Sequence, residues 1–439
     1  MMDISIILIV FAVFLLVLLL GHPLAFTLGG LAIIFGVLLW GNVGVLNMFI
    51  RTLSNLATSI AYVAIPLFIF MGAILERSGA ADDLFESMYI VLGKLKGGLA
   101  ITTVVICTLL AASTGIIGAS ITVMGMLAMP TMLKHKYNLR LAAGSVMSSG
   151  CLGTLIPPSI ILIIYGAQAQ ISIAKLFAGG IGAGLLLAFM YIAYIAIRCI
   201  INPNYGPAIP QQEADKYNTS QKLVMTIKSI APTLGLILAV LGSILFGLAT
   251  PTEAAAIGAL GAAIIALFHG KLSWNMIKES CFVTMKTTAM IMWIILCASM
   301  FTAVFLGLGG GRLISELMLG LDMNRWAILS IILFIILIMG MFIDSYGVLL
   351  IGVPIFTPLV YSLGFDPIWF GIMYAVMIQS SYISPPFAYA VFYLKGVSPP
   401  DVPTMELYKA TFPFLLIQII ALVILALFPQ IITWLPSLI

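Results

Sequence analysis

Charge is what this chain has least of. Of its 439 residues only 8% are Asp, Glu, Lys or Arg, and 62% are hydrophobic; a soluble domain carries about 25% charged residues. A water-soluble globule is excluded, and an integral membrane protein is expected. Histidine is scarce too, with three in all, and the five cysteines (Cys107, Cys151, Cys199, Cys281, Cys297) stand apart without CxxC spacing. No zinc pattern, HExxH pair or disulfide framework follows from them. No base, nucleophile and metal set converges, so neither an enzyme nor an organic cofactor is expected. The net charge of +4 points to topology determinants and not to a nucleic-acid footprint. The first apolar run, residues 4–20, lacks a basic n-region and a small-residue cleavage site, so it is expected to span and not to be cleaved.

What the chain has is helix-length apolar runs, far longer than the roughly 10-residue alternating strands of an outer-membrane barrel. They predict an all-α, polytopic protein with spans near 4–20, 24–40, 57–75, 176–197, 229–248, 252–268, 287–306 and 411–434. Four further regions are irregular. Residues 101–133 and 328–362, rich in Gly, Ser and Pro, suit re-entrant helical hairpins. Residues 141–166 and 368–394 each carry a Pro-Pro pair, in "GTLIPPSI" and "SYISPPFA". Proline has no N–H and clashes with the preceding turn. A helix broken inside a membrane is tolerated only where its freed polar groups face protein or a wet cavity.

A polar stretch, Asn202–Lys222, divides the chain near its middle. Shifting the first half by 228 positions lays Pro23 on Pro251, Pro130 on Pro358, Pro157 on Pro385 and Pro158 on Pro386. Four of the eight prolines before Gln211 thus find proline partners, where a background near 5% gives about 0.4. With the hairpins re-entrant and the chain starting outside, fifteen Lys and Arg fall inside and only Arg51, Lys175, Arg312 and Arg325 fall outside. That positive-inside bias makes the two halves an inverted repeat, 1–200 and 229–439, joined by a cytoplasmic linker at 201–228. Inverted repeats with discontinuous helices are the pattern of many secondary transporters.

Two clusters could carry chemistry. "STGIIGAS" (Ser113–Ser120) with "GTLIPPS" (Gly153–Ser159) offers hydroxyls and freed carbonyls, a neutral hard-oxygen set that suits a small hard cation, Na⁺. The same small residues also suit close helix packing. "FIDSYG" (Phe342–Gly347) with "SSYISPPF" (Ser380–Phe387) contains Asp344, the one charge between Trp326 and Asp366. An intramembrane carboxylate points to a functional site. It could ligate a cation, cap a helix or carry a proton. "ATPTEAAAIG" (Ala249–Gly258) is expected to start a helix, and Gly79–Gly97 to form an amphipathic surface helix.

At these residues the sequence resembles the large membrane subunit (DctM family) of TRAP transporters, the tripartite ATP-independent periplasmic transporters. The resemblance covers nearly the whole chain and rests on "IPLFIFMGAILERSG" (Ile65–Gly79), "GASITVMGMLAMPTML" (Gly118–Leu133), "GTLIPPSIILIIYG" (Gly153–Gly166), "ATPTEAAAIGA" (Ala249–Ala259) and "GMFIDSYGVLLIGVPIFTPL" (Gly340–Leu359). It implies a sodium-coupled elevator importer in the bacterial inner membrane. A periplasmic substrate-binding protein would deliver an organic acid, and a separate small four-helix membrane subunit would complete the permease. It further implies one Na⁺ site at Ser113, Gly118, Ser120, Gly153 and Thr154, and another at Asp344, Ser345, Ser381 and Ser384. The substrate carboxylate would lie between them, against Ser120, Thr122, Pro157, Pro158, Ser345, Pro385 and Pro386. "PPF…FYLKGV" is similar to the branch associated with keto-acid and other monocarboxylate receptors.

The function expected is Na⁺-driven uptake of a small carboxylate, such as a C4-dicarboxylate or a 2-oxo acid. The alternative is a receptor-independent sodium/carboxylate symporter of the same architecture. A channel would instead require a continuous conductive pathway, for which Asp344 alone does not argue.

Overall fold

The computed structural model describes residues 4–114, 117–210 and 218–439. Every regular element among them is helical, and ten helices are long and apolar enough to cross a membrane. The first half comprises α1 (Ile4–Leu19), α2 (Leu24–Thr58), α3 (Ile60–Arg77), α4 (Ala80–Leu92), α5 (Gly98–Thr114), α6 (Ile117–Lys134), α7 (Leu139–Gly150), α8 (Ile160–Ala169) and α9 (Ile173–Ile201). The second comprises α10 (Thr219–Leu245), α11 (Pro251–Phe268), α12 (Trp274–Gly307), α13 (Gly310–Leu319), α14 (Arg325–Phe342), α15 (Ser345–Ser362), α16 (Pro367–Ile383), α17 (Tyr389–Val397) and α18 (Thr404–Leu427), with a short α19 (Gln430–Thr433) at the end.

Local chemistry explains several helix starts. Thr250 and Glu253 form a reciprocal capping box at the start of α11, with Pro251 in its first turn, which satisfies two of the N–H groups a helix start leaves over. Asn138 accepts from the N–H groups of Arg140 and Leu141 to begin α7, and Asp366 accepts from that of Trp369 to begin α16. The span expected at 24–40 does not end there. α2 runs on to Thr58 through a kink at Gly41 (φ 68°), because glycine takes the left-handed turn at no steric cost. In α4, Asp82, Asp83 and Glu86 are exposed while Leu84, Ser87 and Met88 are buried. That apolar face packs on α5 and α10, and Ser87 Oγ lies 2.6 Å from Ser229 Oγ.

Two groups of helices can be followed through the packing, joined by α12 against α15 and by α3 against α5 and α8. α3 lies along α11 and α12, and α2 along α12. Around α5–α9 and α14–α18 the pattern crosses over between the halves: α8 packs on α15, and α17 on α6. Tyr165 of α8 meets Thr357 of α15, hydroxyl to hydroxyl, at 3.3 Å. A Cβ on Gly125 of α6 would stand 2.7 Å from Val397 of α17, so that glycine sets how closely the two helices approach. This crossing positions the site.

Candidate ion and substrate site

Both Pro-Pro pairs break a helix. α7 stops at Gly150, a 3₁₀ turn covers Cys151–Thr154, and α8 begins only at Ile160. α16 stops at Ile383 and α17 begins at Tyr389. Pro157–Pro158 and Pro385–Pro386 are both cis.

At the first break, Ser159 caps α8 by accepting from Leu162 N–H (3.4 Å) and donates its own hydroxyl to the Thr154 carbonyl. Thr154 Oγ1 donates to Cys151 O at 2.9 Å. The start of α6 closes on this turn: a Cβ on Gly150 would lie 3.3 Å from Ile121 N. Ser120 and Thr154 are thereby brought to one region, both buried. Thr122, two residues further along α6, is half-buried. Gly118 faces the other half of the chain, since a Cβ there would stand 3.0 Å from the ring of Tyr393 on α17. Ser113 belongs to the last turn of α5, but its side chain lies outside the described residues, as does the hairpin tip at 115–116. Gly153 is buried within the turn, and Pro157 and Pro158 are buried behind it.

At the second break, Asp344 sits between α14 and α15 and is half-buried. One of its oxygens caps α15, accepting from Tyr346 N–H at 3.2 Å. No Lys, Arg or His among the described residues forms an ion pair with it. Capping uses one acceptor position of a carboxylate that has about four, which leaves the group able to face a cation as well. Ser345, buried beside it, accepts from the Tyr382 hydroxyl. Ser381 donates to Ile378 O at 2.6 Å and Ser384 to Ser380 O at 2.8 Å, so both hydroxyl protons are held within α16. Gly340 admits the end of α16: a Cβ there would fall 2.6 Å from that of Ser381. Pro385 is half-buried and Pro386 exposed.

Tyr382, Gln379 and Tyr393 were not among the residues expected from the sequence. Tyr382 lies within "SSYISPPF" and Gln379 immediately before it, but the partner of Tyr382 is Ser345, 37 residues away, and that of Gln379 is Thr154, 225 residues away.

A family model described as the DctM component of the tripartite ATP-independent periplasmic transporter matches residues 11–431. The chain is 32% identical to the C4-dicarboxylate TRAP transporter large permease protein DctM of Vibrio cholerae, over 95% of this chain and 94% of that one. It is 30% identical to the isethionate TRAP transporter permease protein DctMQ of Oleidesulfovibrio alaskensis, over 96% of this chain and 65% of the other. In fold it is similar to the YdaH transporter of Alcanivorax borkumensis, with a TM-score of 0.59 at 16% identity over 93% of this chain and 97% of that chain. The chain belongs to the DctM family: it is a large permease component of a TRAP transporter, a multi-pass protein of the bacterial inner membrane and not an enzyme.

Proposed function

We propose that this permease imports a small organic acid by Na⁺ symport, working with a periplasmic substrate-binding protein and a small membrane subunit. The two break clusters hold the ions, and the substrate carboxylate lies between them. One observation carries the proposal: the second half of each broken helix packs on the hairpin helix of the opposite half. This sets two openings in the backbone side by side, one of them next to a carboxylate with no ion-pair partner among the described residues. A carboxylate substrate brought near Asp344 would be repelled by it, and Na⁺ between them removes that repulsion, which makes substrate and ion binding interdependent.

The chain acts as two inverted repeats. In support, α6 and α15 lie 228 positions apart at both ends, and α7 and α16 do so at their starts. Movement of the broken-helix set against the α2–α3–α11–α12 set is the elevator step. The substrate is a C4-dicarboxylate or a 2-oxo acid, in line with the dicarboxylate named for the Vibrio relative.

The test is uptake into proteoliposomes containing this chain, with the small subunit and the receptor added separately, under an imposed Na⁺ or H⁺ gradient. Uptake that needs Na⁺, receptor and small subunit together is expected. Uptake without receptor would instead indicate a sodium/carboxylate symporter acting alone, and proton-driven uptake would make Asp344 a proton carrier.

A further inference from the structure

A polar chain leaves the first cluster at Thr154 and runs between the breaks through residues that neither cluster includes. Thr154 Oγ1, 2.9 Å from Cys151 O, is also 3.5 Å from Gln379 Oε1. Gln379 Nε2 lies 3.4 Å from the Tyr191 hydroxyl, to which Gln418 Nε2 donates at 2.8 Å. Four separate elements contribute: the 3₁₀ turn, α16, α9 and α18. Gln379, Tyr191 and Gln418 are 0% exposed and Thr154 2%. Gln418 Oε1 has no partner among the described residues. Burying amides in an apolar interior is costly unless every group is paired. Apolar side chains of similar size would fill this space without that cost, so packing alone does not account for the network.

The Thr154 hydroxyl has one proton and two acceptors within reach, and the nearer, Cys151 O, takes it. A cation in the first cluster would bind the hydroxyl through its lone pairs and draw carbonyls of the open turn toward itself. With Cys151 O engaged, Gln379 Oε1 is the acceptor that remains. The contact between Thr154 and Gln379, at the long limit for a hydrogen bond, then shortens and pulls on α16. Gln379 stands two residues before Ser381, in the end of α16 that leads to Ser384 and the second break. We propose that Gln379 is a positioning residue that couples the two clusters, so that a cation at the first break favours the ion-binding arrangement at the second. This rests on the sodium-coupled function above.

The test is receptor-dependent uptake by the complete transporter in proteoliposomes, measured across NaCl concentrations with choline chloride holding ionic strength constant. For the unaltered chain a sigmoidal Na⁺ dependence with a Hill coefficient above unity is expected. Gln379→Leu should lower that coefficient toward unity and raise the half-saturating Na⁺ concentration by about fivefold or more. Tyr191→Phe, which keeps the ring and removes one hydroxyl, should move both in the same direction by less, and it carries the test if Gln379→Leu fails to insert. A lowered maximal rate with unchanged Hill coefficient and half-saturation in both variants would overturn the coupling and leave Gln379 a packing residue. Sodium-independent uptake by the unaltered chain would overturn the symport function itself, and the coupling with it. Sodium dependence that neither variant alters would overturn the coupling alone.

Discussion

Around Pro157–Pro158 every residue from 151 to 160 is buried, whereas around Pro385–Pro386 burial gives way: Pro385 is half-buried, Pro386 is exposed, and Phe387 is 45% exposed. The two breaks use the same backbone device, but different neighbours close on them. At the first, α9 presents Gly180, where a Cβ would stand 2.5 Å from the Leu155 carbonyl oxygen, so the helix lies directly on the opened turn. At the second, the carbonyls of Pro386 and Phe387 meet a single hydroxyl, that of Tyr408, at 3.0 and 3.2 Å. Their chemistry differs too. Neutral hydroxyls line the first, while the second has a carboxylate and the rings of Tyr382 and Tyr389, 5.8 Å apart. The chain has two matching openings, and the surroundings give them unequal access and unequal charge.

The comparison breaks most sharply at its charge. Asp344→Asn keeps the side-chain acceptor that caps α15, because Asn is as good an N-cap as Asp, but it removes the negative charge. If Asp344 serves only as a cap, uptake and its Na⁺ dependence should stay as they are. If it ligates Na⁺, uptake at a fixed Na⁺ concentration should fall by at least about tenfold, the equivalent of about 1.4 kcal/mol, with membrane insertion intact. Uptake in proteoliposomes together with the amount of inserted protein decides between them.

Accessibility gives the next largest contrast. In a background with the exposed Cys281 and the other cysteines replaced, Phe387→Cys should react with a water-soluble maleimide at least about tenfold faster than Ile156→Cys, since thiol reactivity follows exposure. Equal rates would show that the first break opens as readily as the second.

How much of this was legible beforehand depended on how local each signal was. The Pro-Pro breaks, the Thr250–Glu253 helix start and the isolated Asp344 were plain in the sequence, because each depends on a handful of consecutive residues. The length of α2 was not. "LLWGNVG" at Leu38–Gly44 looks like the end of a span, yet a glycine that can take a positive φ lets the helix kink and resume. The Thr154–Gln379–Tyr191–Gln418 chain was invisible: a single glutamine in "AVMIQSS" or "LLIQII" has no local pattern that names its partner 225 residues away. For the same reason the sequence showed two equivalent Pro-Pro pairs but not that one would be sealed.

The smallest contrast removes one hydroxyl from each break. Tyr408→Phe deletes the donor shared by the Pro386 and Phe387 carbonyls, and Ser159→Ala deletes the donor to the Thr154 carbonyl together with the cap on Leu162 N–H. A lost hydrogen bond costs little where water can replace the partner, and about 1–3 kcal/mol where a buried group is left unpaired. Tyr408→Phe at the open break should therefore lower stability by no more than about 1 kcal/mol. At the sealed break Ser159→Ala should cost about 1–3 kcal/mol, with the lost cap adding about 1 kcal/mol. Thermal unfolding of the purified permease in detergent, followed for both variants side by side, measures the difference. Equal losses would mean that water reaches the Thr154 carbonyl as easily as it reaches that of Pro386. The two breaks would then differ only in charge, and Asp344 would carry the whole asymmetry between them.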